Sequence, residues 1–231
     1  MVFTGDYKRR SDPTCKQFKI VPGAHVLISE ATFGMPVFRH PDTSSEIAKL
    51  LISLDKFPNQ THLVGAYSLG KAQRVIKHLR IAGYDPPIYT HGSLGKLNEV
   101  YAKHGIDLGP LEPATLDDRK SLQDEKFRGG IVVAPPSAFD GKWGYRFPDP
   151  ILAFCSGWMG VRQRAKQRGV ELPLIISDHA DWDELTSTIV ESASEELWVT
   201  YGREDALVRW AELNGQKAKA LRLVGYEDTT A

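Results

Sequence analysis

Short, wholly apolar runs alternate with longer stretches of helical period along almost the entire chain. His25-Val26-Leu27-Ile28-Ser29 reads as a strand, and Thr43 to Leu54 as a helix with Ile47, Leu50, Leu51 and Leu54 on one face. The pattern recurs in His62–Ala66 followed by a helix from Lys71 to Ala82, and in Pro87–Thr90 followed by a helix from about Leu94 to Lys103. Ile131–Ala134 and Ile151–Phe154 are further buried-type strands, the latter leading into a basic helix that ends at Arg168. Leu172–Ile176 precedes a helix from about Asp183 to Ser192. Leu197–Thr200 precedes one from Glu204 to Leu213, and Lys219–Val224 reads as a last strand. Strands alternating with helices give an α/β class with mostly parallel pairing. Apolar runs without polar alternation belong to sheets covered on both faces. The charged segment from Gly105 to Arg128 reads as a surface excursion.

With 29 basic and 29 acidic residues in 231, the formal net charge is zero. No global field therefore draws the chain to nucleic acid, and any such affinity must come from local basic clusters. Cys15 and Cys155 stand far apart without metal-type spacing, which excludes a disulfide framework and fits a reducing cytoplasm. No apolar run of about 18 residues offers a membrane span.

Ligands of open α/β sheets gather at the carboxyl ends of strands. Those ends carry Asp6, Glu30, Ser68, Ser156, Asp178, His179 and Tyr201. Two carboxylates and a histidine brought together would suit a divalent metal or acid–base chemistry. Each also has a plainer role. Asp6 after Gly5 can satisfy turn amides, Glu30 can be a solvated strand end, and Asp181 can cap the helix beside it. The other histidines form no metal-ligand pair. Lys71, Arg74, Lys77 and His78 share one helical face, and Arg162, Arg164, Lys166 and Arg168 crowd another helix. Such runs are commonly solvated faces. Here they lie beside the Ser68-Leu69-Gly70 and Ser156-Gly157 turns, where amides and cations together can bind phosphate.

Several ordered motifs resemble one family. Val2-Phe3-Thr4-Gly5-Asp6-Tyr7-Lys8 is similar to the fourth metallo-β-lactamase motif, Ser29-Glu30-Ala31-Thr32-Phe33-Gly34 to β-CASP motif A, and Ser177-Asp178-His179-Ala180-Asp181-Trp182 to motif B of the DNA-ligase-associated exonucleases. Phe38-Arg39-His40-Pro41, the Ala66–Gln73 stretch and Ser156-Gly157-Trp158-Met159 also resemble that family. The resemblance implies a partial metallo-β-lactamase αββα sandwich with an inserted β-CASP α/β cap. Residues 1–40 and 171–231 would belong to the sandwich and 41–170 to the cap, with substrate in the groove between them. It implies a metal-dependent nuclease (a hydrolase) acting as a DNA exonuclease in repair, with a two-metal zinc or manganese site. Asp6 would bridge the metals, His179 would serve as general acid, and Glu30 and Asp178 would support it. Ser68, Lys71, Ser156, Gly157, Trp158 and Arg162 would contact nucleic-acid phosphate. The implied partners are DNA, an ATP-dependent DNA ligase and a helicase.

Two departures qualify the resemblance. The family's His-x-His-x-Asp-His motif and a later histidine ligand should precede Asp6, so the chain is expected to lack an N-terminal third. Motif C often supplies a histidine where this chain has Tyr201, and a phenol of pKa about 10 is a poor ligand. The alternatives are a non-catalytic nucleic-acid-binding or partner-docking module, an RNA endonuclease of the same fold, and a nonfunctional truncated product.

Overall fold

The computed structural model describes residues 1–115, 125–147 and 149–221. The chain divides into two compact units. One comprises residues 1–11, 17–39 and 178–231, the other residues 12–16 and 40–177. Both are α/β with parallel sheets, the class expected from the alternating pattern.

In the first unit the strands β1 (Val2–Phe3) and β2 (Val26–Ala31) pair in parallel. To use chain-order labels, the second unit then supplies α1 (Thr43–Lys56), β3 (His62–Gly65), α2 (Lys71–Ile81), β4 (Ile88–Thr90), α3 (Gly95–Lys103), β5 (Leu111–Pro113), β6 (Ile131–Ala134), β7 (Ile151–Cys155), α4 (Arg162–Gln167) and β8 (Leu172–Leu174). The first unit closes with α5 (Trp182–Ser192), β9 (Glu196–Gly202), α6 (Glu204–Leu213) and β10 (Lys217–Ala220). Its sheet has the order β1-β2-β9-β10, and that of the second unit the order β5-β4-β6-β3-β7-β8, with every pairing parallel.

The apolar runs have a direct cause. In the second unit, Val64 of β3 and Ile131 and Val133 of β6 pack with Ile47, Leu50 and Leu54 of α1 and with Ala72, Val75, Ile76 and Leu79 of α2. Their neighbours Leu63 and Val132 point to the opposite face and pack with Phe127 and Phe147. Both faces are covered, so alternation of side chains along the strand brings no alternation of polarity. In the first unit, Leu27, Ala31, Leu197 and Val199 of the sheet pack against Leu185 and Ile189 of α5 and Leu207 and Ala211 of α6.

Two expectations need correction. The segment from residue 171 was assigned to the closing part of the chain, but Leu172–Leu174 pairs with β7 as an edge strand of the second unit's sheet. The edge position also explains how Pro173 is accommodated, because a missing N–H costs least there. The expected last strand from Lys219 to Val224 starts earlier, at Lys217, and ends at Ala220; residues 222–224 lie outside the described residues, as do residues 116–124 of the expected Gly105–Arg128 excursion. No helix among the described residues is long and apolar enough to cross a membrane.

Asp181 caps α5. Its carboxylate accepts the Glu184 N–H at 3.0 Å, and the Glu184 carboxylate accepts the Asp181 N–H at 3.1 Å. Arg10 pairs with both carboxylates. A reciprocal cap of this kind satisfies two amides that the helix cannot. Asp181→Ala should therefore lower the unfolding free energy by about 1–2 kcal/mol in urea titrations, while Asp181→Ser should retain most of it. Equal stability of the alanine variant and the parent would contradict the capping role.

Candidate metal and acid–base site

Asp6 lies in the turn after β1, where Gly5 takes a φ of +59°. Glu30 is the penultimate residue of β2, and His179 stands in the loop that enters α5. All three belong to the first unit. One potential ligand atom from each lies within 4.8 Å of the other two. Asp6 is exposed, Glu30 is 1% exposed and His179 is half-buried.

The buried Glu30 carboxylate is held by three donors. It accepts the Tyr7 N–H at 3.0 Å, the Thr32 N–H at 3.3 Å and the His179 Nδ1–H at 2.9 Å. The first donor exists because the chain turns at Gly5-Asp6, so that the next amide points back at β2. Burial alone would raise the Glu30 pKa; the hydrogen bonds from His179 and Thr32, the histidine charge and the Tyr7 amide outweigh it and lower the pKa. His179 responds in the opposite direction. Its hydrogen bond to Glu30 raises its pKa, burial opposes this, and the charges of Glu30, Asp6 and Asp178 add to the rise. Donation from Nδ1 to Glu30 fixes the orientation of the ring. Asp6 Oδ1 lies 3.9 Å from the same Nδ1.

The end of β9 shapes the site's border. Glu30 pairs with Thr200 and Ala31 with Gly202, so Tyr201 is an extra residue opposite the Glu30–Ala31 step. It takes a φ of +56° and is 59% exposed. Asp178 is half-buried and acts on His179 through its charge.

Sequence reasoning missed Thr32. Its hydroxyl lies 3.2 Å from His179 Nδ1 and its amide holds Glu30. Its position two residues past a strand-end carboxylate was the available signal. Phe33, which meets the imidazole edge-on at 6.1 Å, was likewise not singled out.

The remaining candidates lie in the second unit. Ser68 Oγ stands 3.4 Å from Ser93 Oγ. The Ser156 hydroxyl accepts the Trp158 N–H at 3.3 Å and caps a short turn that contains buried Gly157. The solvated cationic face expected on α2 is not formed. Lys71 and Arg74 are buried, with the Lys71 ammonium 4.8 Å from the Tyr67 ring and Arg74 donating to the Ser177 carbonyl at 2.8 Å. Lys77 donates to the Asp107 carbonyl. Ser156 and Trp158 line a cavity of about 360 Å³ with Arg164 and Arg168; Arg162 is exposed and lies outside that lining.

As the residues stand, Glu30 and His179 are joined to each other, and Asp6 keeps an exposed carboxylate. These residues offer a metal one exposed carboxylate, that of Asp6, while the Glu30 carboxylate and the His179 Nδ1 are bonded to each other. A closed four-ligand site is not formed by these three residues.

In metal-free buffer the His179 pKa, followed by the pH dependence of its imidazole NMR shifts, should lie above the ordinary value of about 6.5. Glu30→Gln should bring it back down, because the neutral amide no longer favours the imidazolium. The sign for stability follows: the raised pKa stabilises the fold below the unfolded-state pKa, and this contribution is lost as pH rises through the folded-state value. An unshifted pKa in the parent would refute the pairing.

No family model matches the chain. It is similar to a protein named as a probable DNA ligase from Opitutus terrae, with 26% identity over 226 residues, covering 91% of this chain and 21% of the ligase. The chain thus spans about a fifth of that relative's length. Among solved structures it is similar to a protein of unknown function from Enterococcus faecalis V583, with a TM-score of 0.53 and 11% identity, covering 89% of this chain and 51% of the other. The second likeness concerns the fold alone, and the first is to a protein whose name refers to DNA.

Proposed function

We propose that the chain carries part of the machinery of a metal-dependent DNA nuclease of the metallo-β-lactamase/β-CASP class, of the ligase-associated exonuclease type. The observation that carries this reading is the buried Glu30 carboxylate bonded to His179 beside the exposed Asp6. The similarity of the chain to a segment of a ligase-named protein supports a DNA substrate and a partnership with an ATP-dependent DNA ligase.

Each residue then has a role its geometry permits. Asp6 would contribute one ligand to a zinc or manganese ion, which when bound would lower the pKa of water to roughly 7 and so supply a nucleophile for phosphodiester hydrolysis. Glu30 orients the His179 ring and favours its protonated form, which would give a proton to the departing oxygen. Asp178 adds to the same charge balance. Tyr201, where the family often has histidine, stands exposed at the border and contacts substrate rather than metal. In the second unit, Ser68, Ser156 and Trp158 are the residues offered for phosphate contact, while the burial of Lys71 takes it out of that role.

The test is release of nucleotides from end-labelled DNA with added manganese or zinc, with labelled RNA run in parallel. Cleavage should disappear in chelator and fall at least ~100-fold in Asp6→Asn and His179→Ala. Cleavage that survives Asp6→Asn would sink the reading. A second reading, a nucleic-acid-binding module without catalysis, follows from the single free carboxylate in the donor set. It predicts metal-independent binding of DNA with no cleavage by the parent chain.

A further inference from the structure

The cavity of about 360 Å³ in the second unit sits at the carboxyl ends of β3 and β7. These neighbouring strands lead in opposite directions across the sheet. β3 continues through α2 to β4, which lies beyond β6, whereas β7 continues through α4 to β8 on the other side. Such a divergence opens a crevice above the strand ends, where ligands of open parallel sheets bind. The volume lies within the range of small-ligand sites, about 300–1,000 Å³.

The lining has one sign of charge. Arg164 and Arg168 contribute two guanidinium groups, and no carboxylate is among the lining residues. Neither arginine has a carboxylate partner among the described residues. Each is instead placed over an aromatic ring: the Arg164 guanidinium is 3.9 Å from the centre of the Trp158 ring, and that of Arg168 is 5.1 Å from the centre of Phe154. Stacking on a ring restrains the flat group and leaves its in-plane N–H donors available, an arrangement suited to oxyanions. Tyr67, 57% exposed just past the end of β3, adds an aromatic surface to the same lining.

We propose that this cavity is a subsite for one nucleotide of a single-stranded polynucleotide, its phosphate taken by Arg164 and Arg168 and its base stacked on Tyr67. This rests on the reading of the substrate as DNA but not on the chemistry at Asp6 and His179. The aromatic surface selects single strands, because only an unpaired base can present its face to a side chain. Arg164 of α4 and Arg168, the residue that caps its C-terminus, carry the role that the sequence alone gave to Arg162.

The experiment is fluorescence anisotropy of a short fluorescein-labelled oligothymidylate with the full chain in chelator, over a series of salt concentrations. The parent should bind the single strand at least about tenfold more tightly than the corresponding duplex. The double variant Arg164→Ala/Arg168→Ala should weaken binding at least about tenfold and make the log–log salt slope shallower by about 0.7–1.4. Arg164→Lys/Arg168→Lys should keep the slope while losing affinity, since charge remains and the stacked fork does not. Tyr67→Ala should weaken binding without changing the slope, and Tyr67→Phe should restore it. Lys96→Ala/Lys103→Ala, on exposed positions of α3 outside the cavity, should leave binding unchanged. Wild-type affinity and slope in the double alanine variant, or equal binding of the duplex, would overturn the proposal. Because no hydrolysis occurs in chelator, that result would leave the cleavage reading to be judged by the Asp6 and His179 variants.

Discussion

A carboxylate 1% exposed to solvent cannot remain charged unless the protein replaces the water it has lost. At Glu30 the replacement comes from three directions: the amide that follows Asp6, the amide of Thr32 beyond β2, and the imidazole of His179 before α5. The three segments are far apart in sequence, and one anion gives each of them a preferred geometry. The same bonds set the orientation of the His179 ring. The position of Asp6 belongs to this arrangement too, since the amide of Tyr7 reaches Glu30 only through the left-handed turn at Gly5.

The border of this arrangement is held by close backbone packing. A β-carbon on Gly202 would stand 2.1 Å from the Ala31 carbonyl oxygen, and its φ is +126°, so only glycine fits there. The Ala31 carbonyl accepts the amides of both Gly34 and Arg203 at 3.0 Å. The bulge that makes this approach possible forces Tyr201 into a left-handed conformation, at a cost of order 1–3 kcal/mol for a residue with a β-carbon. Tyr201 therefore stands where backbone geometry, rather than side-chain packing, is the dominant constraint.

The strand and helix pattern was legible because both faces of the sheets are covered, leaving apolar runs such as Ile131–Ala134 uninterrupted. α6 reads directly from Glu204 to Leu213, and its buried Leu207 and Ala211 are four residues apart. Asp181 was legible as a cap or a site residue; the Glu184 amide decides for the cap. What the sequence withheld depended on direction. Only its place two residues past a strand-end carboxylate marks Thr32, and that spacing does not show that it reaches both Glu30 and His179. Nor does spacing show that Leu172–Leu174 pairs with β7, because strand partners are chosen by the sheet rather than by neighbours in the chain.

Direction also separates the two basic stretches, which look alike as sequence. Arg74, Lys77 and Arg80 of α2 are turned to the protein's own carbonyls. Lys77 reaches Asp107, while Arg80 donates to the carbonyls of Tyr84, Pro86, Leu108 and Pro110. Gly109 is shaped around that arginine, for a β-carbon there would lie 2.5 Å from Arg80 Nε. The four bonds it donates leave Arg80 little capacity for an external anion, and its charge serves to fold the connection around β4. α4 is only six residues long and buries Ala165 alone, so it has no comparable loop to hold. Its Arg164, and Arg168 just past its end, rest on aromatic rings and keep their donors at a cavity wall. In a chain of zero net charge, affinity for a polyanion depends on this difference between cations already committed to carbonyls and cations supported only by ring faces.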